Sequence, residues 1–201
     1  MTLIRARATL DHAEHFAQLA QISSDGLFTD LLGSRAQVTL RSMFFRADND
    51  YSHRHCTFLQ AGESVAGMIH AYSAEQASAN ARQSLWLTLY YARWQIWRCI
   101  VVGFALRDIL GADLAPGDFY IAMVALYLPY RRHGHSKTLL EKASGLAIRQ
   151  GCSRLTLDVE DRNHIAIAAY QRAGFTISAE SKKINYAGER WGLLRMVKPL
   201  E

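Results

Sequence analysis

The sequence predicts an α/β domain built on a mixed, mostly antiparallel sheet, and three observations carry that expectation. Residues 119–151 run from an apolar stretch through a basic, glycine-bearing turn into an amphipathic segment. Residues 154–175 repeat the order of strand then helix on a smaller scale. Residues 54–73 and 182–197 each read as two strands around a short turn containing glycine. With 201 residues, half of them apolar and a fifth charged, the chain has the length and composition of one domain with a sizeable core.

Leu3–Thr9 alternates apolar and basic residues and reads as the first strand. Asp11 is the expected N-cap of the first helix, with Glu14 completing a capping box. That helix, Ala13–Gln21, turns Phe16, Leu19 and Ala20 inward, and Ser34–Phe45 reads as a second helix. Arg54–Gln60 and Val65–Ser73 read as a hairpin. His53 and His55 would then share a strand face, but no third ligand is evident and no metal is expected.

In Leu85–Leu110 the bulky residues Trp86, Tyr90, Trp94, Trp97, Val101 and Phe104 recur at helical spacing. A helical insertion over about 80–115 is therefore expected within the single domain. Arginines near its middle argue against a membrane span, since each costs about 2.5–3.5 kcal/mol at the bilayer centre. The stripe reads as core or homodimer-interface packing. A lid over the acceptor site and a membrane-surface helix are the other readings.

The central stretch is Phe119–Leu140. Its apolar run Tyr120–Leu128 is short and rich in Ile, Val and Tyr, as a buried strand is, and Pro129 ends it. Tyr130–Ser136 forms a basic turn around Gly134, and Lys137–Gln150 is an amphipathic helix closed by Gly151. First-turn amides have no partner inside a helix, and the helix dipole adds about half a positive charge there. Arg131, Arg132 and Lys137 add full charges, so the turn reads as a pyrophosphate cradle. The net charge of +5 is modest and partly local to this turn, which favours an anionic cofactor over a nucleic acid. Three scattered cysteines without a CxxC pair, and an N-terminal stretch with no uninterrupted apolar segment, point to reduced thiols and a cytoplasmic protein.

Arg131-x-x-Gly134-x-Ser136 and, downstream, Asn163, Ala166, Tyr170, Gly174 and Phe175 together resemble the two motifs of the GNAT superfamily of acetyl-CoA-dependent N-acetyltransferases. The close match covers roughly residues 119–176. Ser136 stands where that family prefers Gly or Ala, and a hydroxyl there can itself donate to phosphate. The resemblance implies a mixed sheet whose two parallel strands splay to admit acetyl-CoA, and transfer of its acetyl group to a primary amine. A non-catalytic acyl-CoA-binding module is the alternative.

The resemblance also implies roles. Arg131, Arg132, His133, Gly134, His135, Ser136 and Lys137 would hold the pyrophosphate. The backbone at Val124, Ala125 and Leu126 would pair with the pantetheine arm, and Asn163 would reach that arm while capping its helix. Tyr170 would protonate the departing thiolate. Asp158 has the spacing of the carboxylate proposed as base in bacterial acetyltransferases that modify a ribosomal protein's N-terminus, and Glu160 is held in reserve. The acceptor itself is not named by any motif.

Overall fold

The computed structural model describes residues 1–92, 114–186 and 189–200. Seven strands form one sheet in the order β1-β2-β3-β4-β5-β9-β6. They are β1 (Thr2–Arg5), β2 (Cys56–Ala61), β3 (Ser64–Ser73), β4 (Asp118–Leu126), β5 (Arg154–Glu160), β6 (Thr176–Glu180) and β9 (Leu193–Pro199). Neighbours are antiparallel except β4 and β5. A separate hairpin joins β7 (Ile184–Tyr186) to β8 (Glu189–Trp191). The helices are α1 (Leu10–Ser23), α2 (Leu27–Leu32), α3 (Ala36–Phe44), α4 (Ala74–Ala92), α5 (His135–Arg149) and α6 (His164–Arg172).

The alternation of strand residues supplies two cores. On one face Phe119, Ile121, Leu155, Leu157 and Val159 meet Leu139, Leu140, Ala143 and Ala147 of α5, all buried. Ala166, Ile167 and Tyr170 of α6 pack against that same cluster. On the other face Phe58, Met68, Met123 and Ala125 meet Phe16 and Leu19 of α1 and Leu40 and Phe44 of α3. Burying each of these larger side chains is worth about 1.5–3 kcal/mol, so the helices are held by packing more than by helix propensity.

Several local expectations are corrected. Thr9, not Asp11, caps α1 by accepting from the His12 amide; Glu14 instead accepts from Gln18, Gln37 and Arg41, tying α1 to α3. The expected helix Ser34–Phe45 begins as a 3₁₀ turn, Gly33–Arg35, and becomes α-helical only over Ala36–Phe44, because Gly33 at φ 59° separates it from α2. His53 and His55 lie in a 3₁₀ turn rather than on a strand, so they share no strand face. β4 begins at Asp118 and ends at Leu126, shifted from the expected Tyr120–Leu128. β6 went unforeseen, and Leu193–Pro199 leaves the expected terminal hairpin to lie between β5 and β6. On α4 the buried residues Asn80, Ser84 and Leu87 form the inward face, and Trp86 and Tyr90 are exposed, so these two members of the stripe are not core. Its remaining members, from Trp94 to Phe104, lie outside the described residues.

Candidate active site

The site begins where two strands part. β4 and β5 pair in parallel from Asp118–Arg154 to Ile121–Leu157, and the pairing stops there. β4 runs on to Leu126 along β3, while β5 runs on to Glu160 along β9. The register against β3 jumps from His70–Met123 to Ala71–Ile121, which leaves Ala122 as a bulge at the parting point. At the closed end Arg154 clamps the buried Asp118 carboxylate. Burial pushes that carboxyl up, but hydrogen bonds from Arg154, the Ala115 amide and Thr156, with the Arg154 charge, together hold it below its ordinary value.

Beyond Ala122, the strand edge of Val124, Ala125 and Leu126 that faces away from β3 has lost its β5 partner. Open edge amides and carbonyls of this kind are what an extended ligand can pair with. β3 approaches the other edge so closely that a Cβ on Gly67 would lie 2.5 Å from the Ala125 carbonyl oxygen. Only glycine permits that approach.

β4 leads directly into the turn. Leu128–Tyr130 makes a 3₁₀ turn, and Arg131 Nε donates to the Leu126 carbonyl at 3.0 Å, fixing the turn to the strand end. Arg132 and Gly134 are left-handed, at φ 66° and 78°, and α5 starts at His135 with no side-chain cap. In that first turn the Lys137 amide donates to the Gly134 carbonyl at 3.0 Å, and the His135 and Ser136 amides have no carbonyl partner among the described residues. Nothing lies within 4 Å of where a Gly134 Cβ would be, so the space before them is open. Arg131, Arg132, His133 and Lys137 are exposed around this opening, Ser136 is half-buried beside it, and the His133 and His135 rings stack at 5.9 Å. An oligophosphate fits this arrangement of open amides and exposed cations.

On the α5/α6 face, Asn163 caps α6 by accepting from the Ala166 amide at 3.1 Å. Its α6 neighbour Tyr170 rests 5.8 Å from the Phe175 ring, and burial pushes the Tyr170 phenol up to about 12. A phenol so placed stays protonated at neutral pH.

Asp158 occupies the opposite face. It is the first β5 residue past the last β4 pair, and both its oxygens are engaged. Arg195 Nε and Nη2 donate to it at 2.9 and 2.8 Å, and the Tyr120 hydroxyl donates at 3.2 Å. Glu160 lies two residues further along β5. Tyr120 stands 5.9 Å from Tyr72, and the Tyr72 ring stands 6.0 Å from His70 and 5.3 Å from His55. Tyr170 and Asp158 thus flank the opened strands from opposite sides of the sheet.

This geometry has relatives. The family model described as "Acetyltransferase (GNAT) family" matches residues 25–175. The chain belongs to that family. The curated N-alpha-acetyltransferase MAK3 of Arabidopsis thaliana is 39% identical over 56 residues, which is 28% of this chain and 30% of that protein's length. Among solved structures, an N-acetyltransferase from Staphylococcus aureus Mu50 superposes with a TM-score of 0.64 at 16% identity, covering 98% of this chain and 100% of that one. The ribosomal-protein-S18-alanine N-acetyltransferase from Escherichia coli gives 0.54 at 15% identity, covering 100% and 94%. These structural likenesses establish the shared fold.

Sequence reasoning missed Tyr120, Arg195 and the polar residues behind Tyr72. Tyr120 was visible only as a strand residue, and Arg195 lay on a strand expected elsewhere. Among the described residues no group of His, Cys, Asp or Glu could hold a metal ion, and no helix is long and apolar enough to cross a membrane.

Proposed function

We propose that this acetyltransferase moves the acetyl group of acetyl-CoA to a primary amine by direct attack on the thioester. The observation that carries the reading is the parting of β4 and β5, with a phosphate cradle at one end and protic side chains on both faces. The pyrophosphate sits on the α5 amides with Arg131, Arg132, His133, Gly134, His135, Ser136 and Lys137 around it. The pantetheine arm pairs with Val124, Ala125 and Leu126, and Asn163 borders it.

The amine approaches from the α1/α3 face as a neutral nucleophile. Its nitrogen bonds to the carbonyl carbon, the carbon–sulfur bond breaks, and Tyr170 gives its hydroxyl proton to the thiolate. Asp158 fits a positioning part better than that of free base, because Arg195 and Tyr120 already occupy it. It holds the Tyr120 hydroxyl at the parting point. A protein N-terminal amine is the first acceptor class to test, on the strength of the local likeness to MAK3. The buried thiols Cys56 and Cys152 are free, in keeping with a reducing, cytoplasmic setting.

The test is release of free CoA from acetyl-CoA across short peptides, polyamines, amino acids and aminoglycosides, with Tyr170→Phe beside wild type. Turnover on one class, slowed about 100-fold in Tyr170→Phe, is the expected result. Equal rates for both proteins would remove Tyr170 from the acid role.

A further inference from the structure

Among the described residues, two buried acceptor atoms on the α1/α3 face find no donor, Asp50 Oδ1 and His70 Nδ1. His70 is fully buried, and its Nε2 lies 2.5 Å from the Asp50 backbone carbonyl, an atom that can only accept. The ring proton is therefore on Nε2, and Nδ1 presents a bare lone pair. Burial pushes the His70 ring down to about 3, so it remains neutral in ordinary buffers. Lacking a donor, each buried acceptor carries a desolvation cost that a ligand N–H could relieve.

The Asp50 carboxylate is unusual in its company. Ser84 and Asn80 of α4 hydrogen-bond to it, and among the described residues no cation pairs with it. Burial outweighs those two hydrogen bonds and pushes the carboxyl above its ordinary value, which makes it a better proton acceptor. Tyr51 and Tyr72 feel its charge on top of their own burial, and both phenols are pushed up. Facing it, then, are neutral His55 and His70, neutral phenols and two uncharged α4 side chains. Through Tyr72 and Tyr120 this cluster is continuous with Asp158 at the parting of β4 and β5. A carboxylate that no cation among the described residues pairs with, a bare imidazole nitrogen and aromatic faces are what the charge and N–H donors of a primary ammonium would complement.

We infer that Asp50 anchors the acceptor: its carboxylate binds the substrate's primary ammonium beside the Tyr51, Tyr72 and Tyr120 rings and takes one of its protons. The inference rests on the acetyl-transfer reading and names its acceptor class. In the step, one N–H bond breaks and its proton passes to Asp50, leaving the nitrogen lone pair free. The nitrogen then bonds to the acetyl carbon and the sulfur departs. The nitrogen's second proton leaves through solvent as Tyr170 supplies one to sulfur and is reprotonated. One acetamide, one thiol and one proton, shed by Asp50, complete the balance. A site with uncompensated negative charge favours peptide N-termini, lysine side chains and polyamines. It disfavours free α-amino acids, whose carboxylate would stand next to Asp50.

Two measurements on the full chain test this. In the first, the CoA-bound protein is titrated calorimetrically with n-butylammonium and, as a neutral control, with 1-pentanol. Wild type should bind the ammonium and not the alcohol, and Asp50→Asn should weaken ammonium binding at least about tenfold. Asp50→Glu, which keeps the charge, should retain it, a result that a mere packing role does not require. In the second, kcat/KM for the best amine should fall about 100-fold in Asp50→Asn near neutral pH, and the deficit should shrink as pH nears the amine's own value of about 10. Equal ammonium binding by wild type and Asp50→Asn, or none by wild type, overturns the inference and leaves ordered water as the partner of the two acceptors. Absence of turnover on every amine, with acetyl-CoA bound, counts against the acetyl-transfer reading alone, since the titration judges Asp50 independently.

Discussion

The two ends of the site are built by opposite means. The phosphate end, Leu128–Ser136, is one unbroken run whose working groups are backbone amides, exposed and aimed by the left-handed torsions of Arg132 and Gly134. The acceptor end draws Asp50, His70, Tyr72, Tyr120, Asp158 and Arg195 from β3, β4, β5, β9 and the loop before β2, and its working groups are largely buried side chains. An anion can be held by geometry that a short segment carries alone. A buried polar floor exists only if each member finds a partner from another strand, because an unpaired polar or charged group in the interior is costly. Damage at the first end should therefore appear in cofactor affinity, and damage at the second in stability and acceptor turnover.

The largest expected effect is at the acceptor end. Arg195→Met strands the mostly buried Asp158 carboxylate and should cost about 3 kcal/mol of unfolding free energy in urea denaturation. Adding Asp158→Asn should return much of that loss. If the single variant is as stable as wild type, the ion pair is not structural and the contrast between the two ends is broken.

Next comes pH. The folded values of His70 and His55, about 3 and about 4, lie below the unfolded value of 6.5. Both rings therefore bind protons more readily when the chain unfolds. Stability is complete above about pH 6.5 and falls as pH drops toward 4, by roughly 1.4 kcal/mol per unit for each histidine. Asp50, with its raised carboxyl, opposes this fall. Comparing unfolding of wild type and His70→Asn between pH 7 and 4.5 isolates one histidine, and the variant's slope should be shallower by about one proton.

The smallest effect belongs to the phosphate end. Gly134→Ala places a Cβ at φ 78°, which costs about 1 kcal/mol of backbone strain, in open space where the ligand's phosphate is expected. Acetyl-CoA should bind about tenfold more weakly, with the melting temperature lowered by only a few degrees. A large loss of stability with unchanged affinity would reverse the comparison.

Much of the phosphate end was legible in the sequence. The order of strand, basic turn and helix depends on short-range periodicity and on one glycine, and the Asn163 cap needs only the amide three residues on. The order of strand then helix over residues 154–175, observed as β5 and α6, was legible for the same reason. Element ends that hinge on competition between neighbouring caps were less legible: Thr9 outcompeted Asp11, and Glu14 was drawn away by Arg41 from another helix.

By itself the sequence determined which segments form strands or helices along the central stretch, and where a phosphate could sit. Hydrophobic period and backbone torsion act over a few residues and leave a local record. Only the tertiary structure decided that β9 lies beside β5, and so that Arg195 reaches Asp158. It likewise decided that a bulge at Ala122 marks the parting of the strands, and that the half-buried Asp50 carboxylate pairs with no cation among the described residues. Strand order and burial depend on which surfaces cover one another across the whole chain, and no stretch of residues carries that information alone.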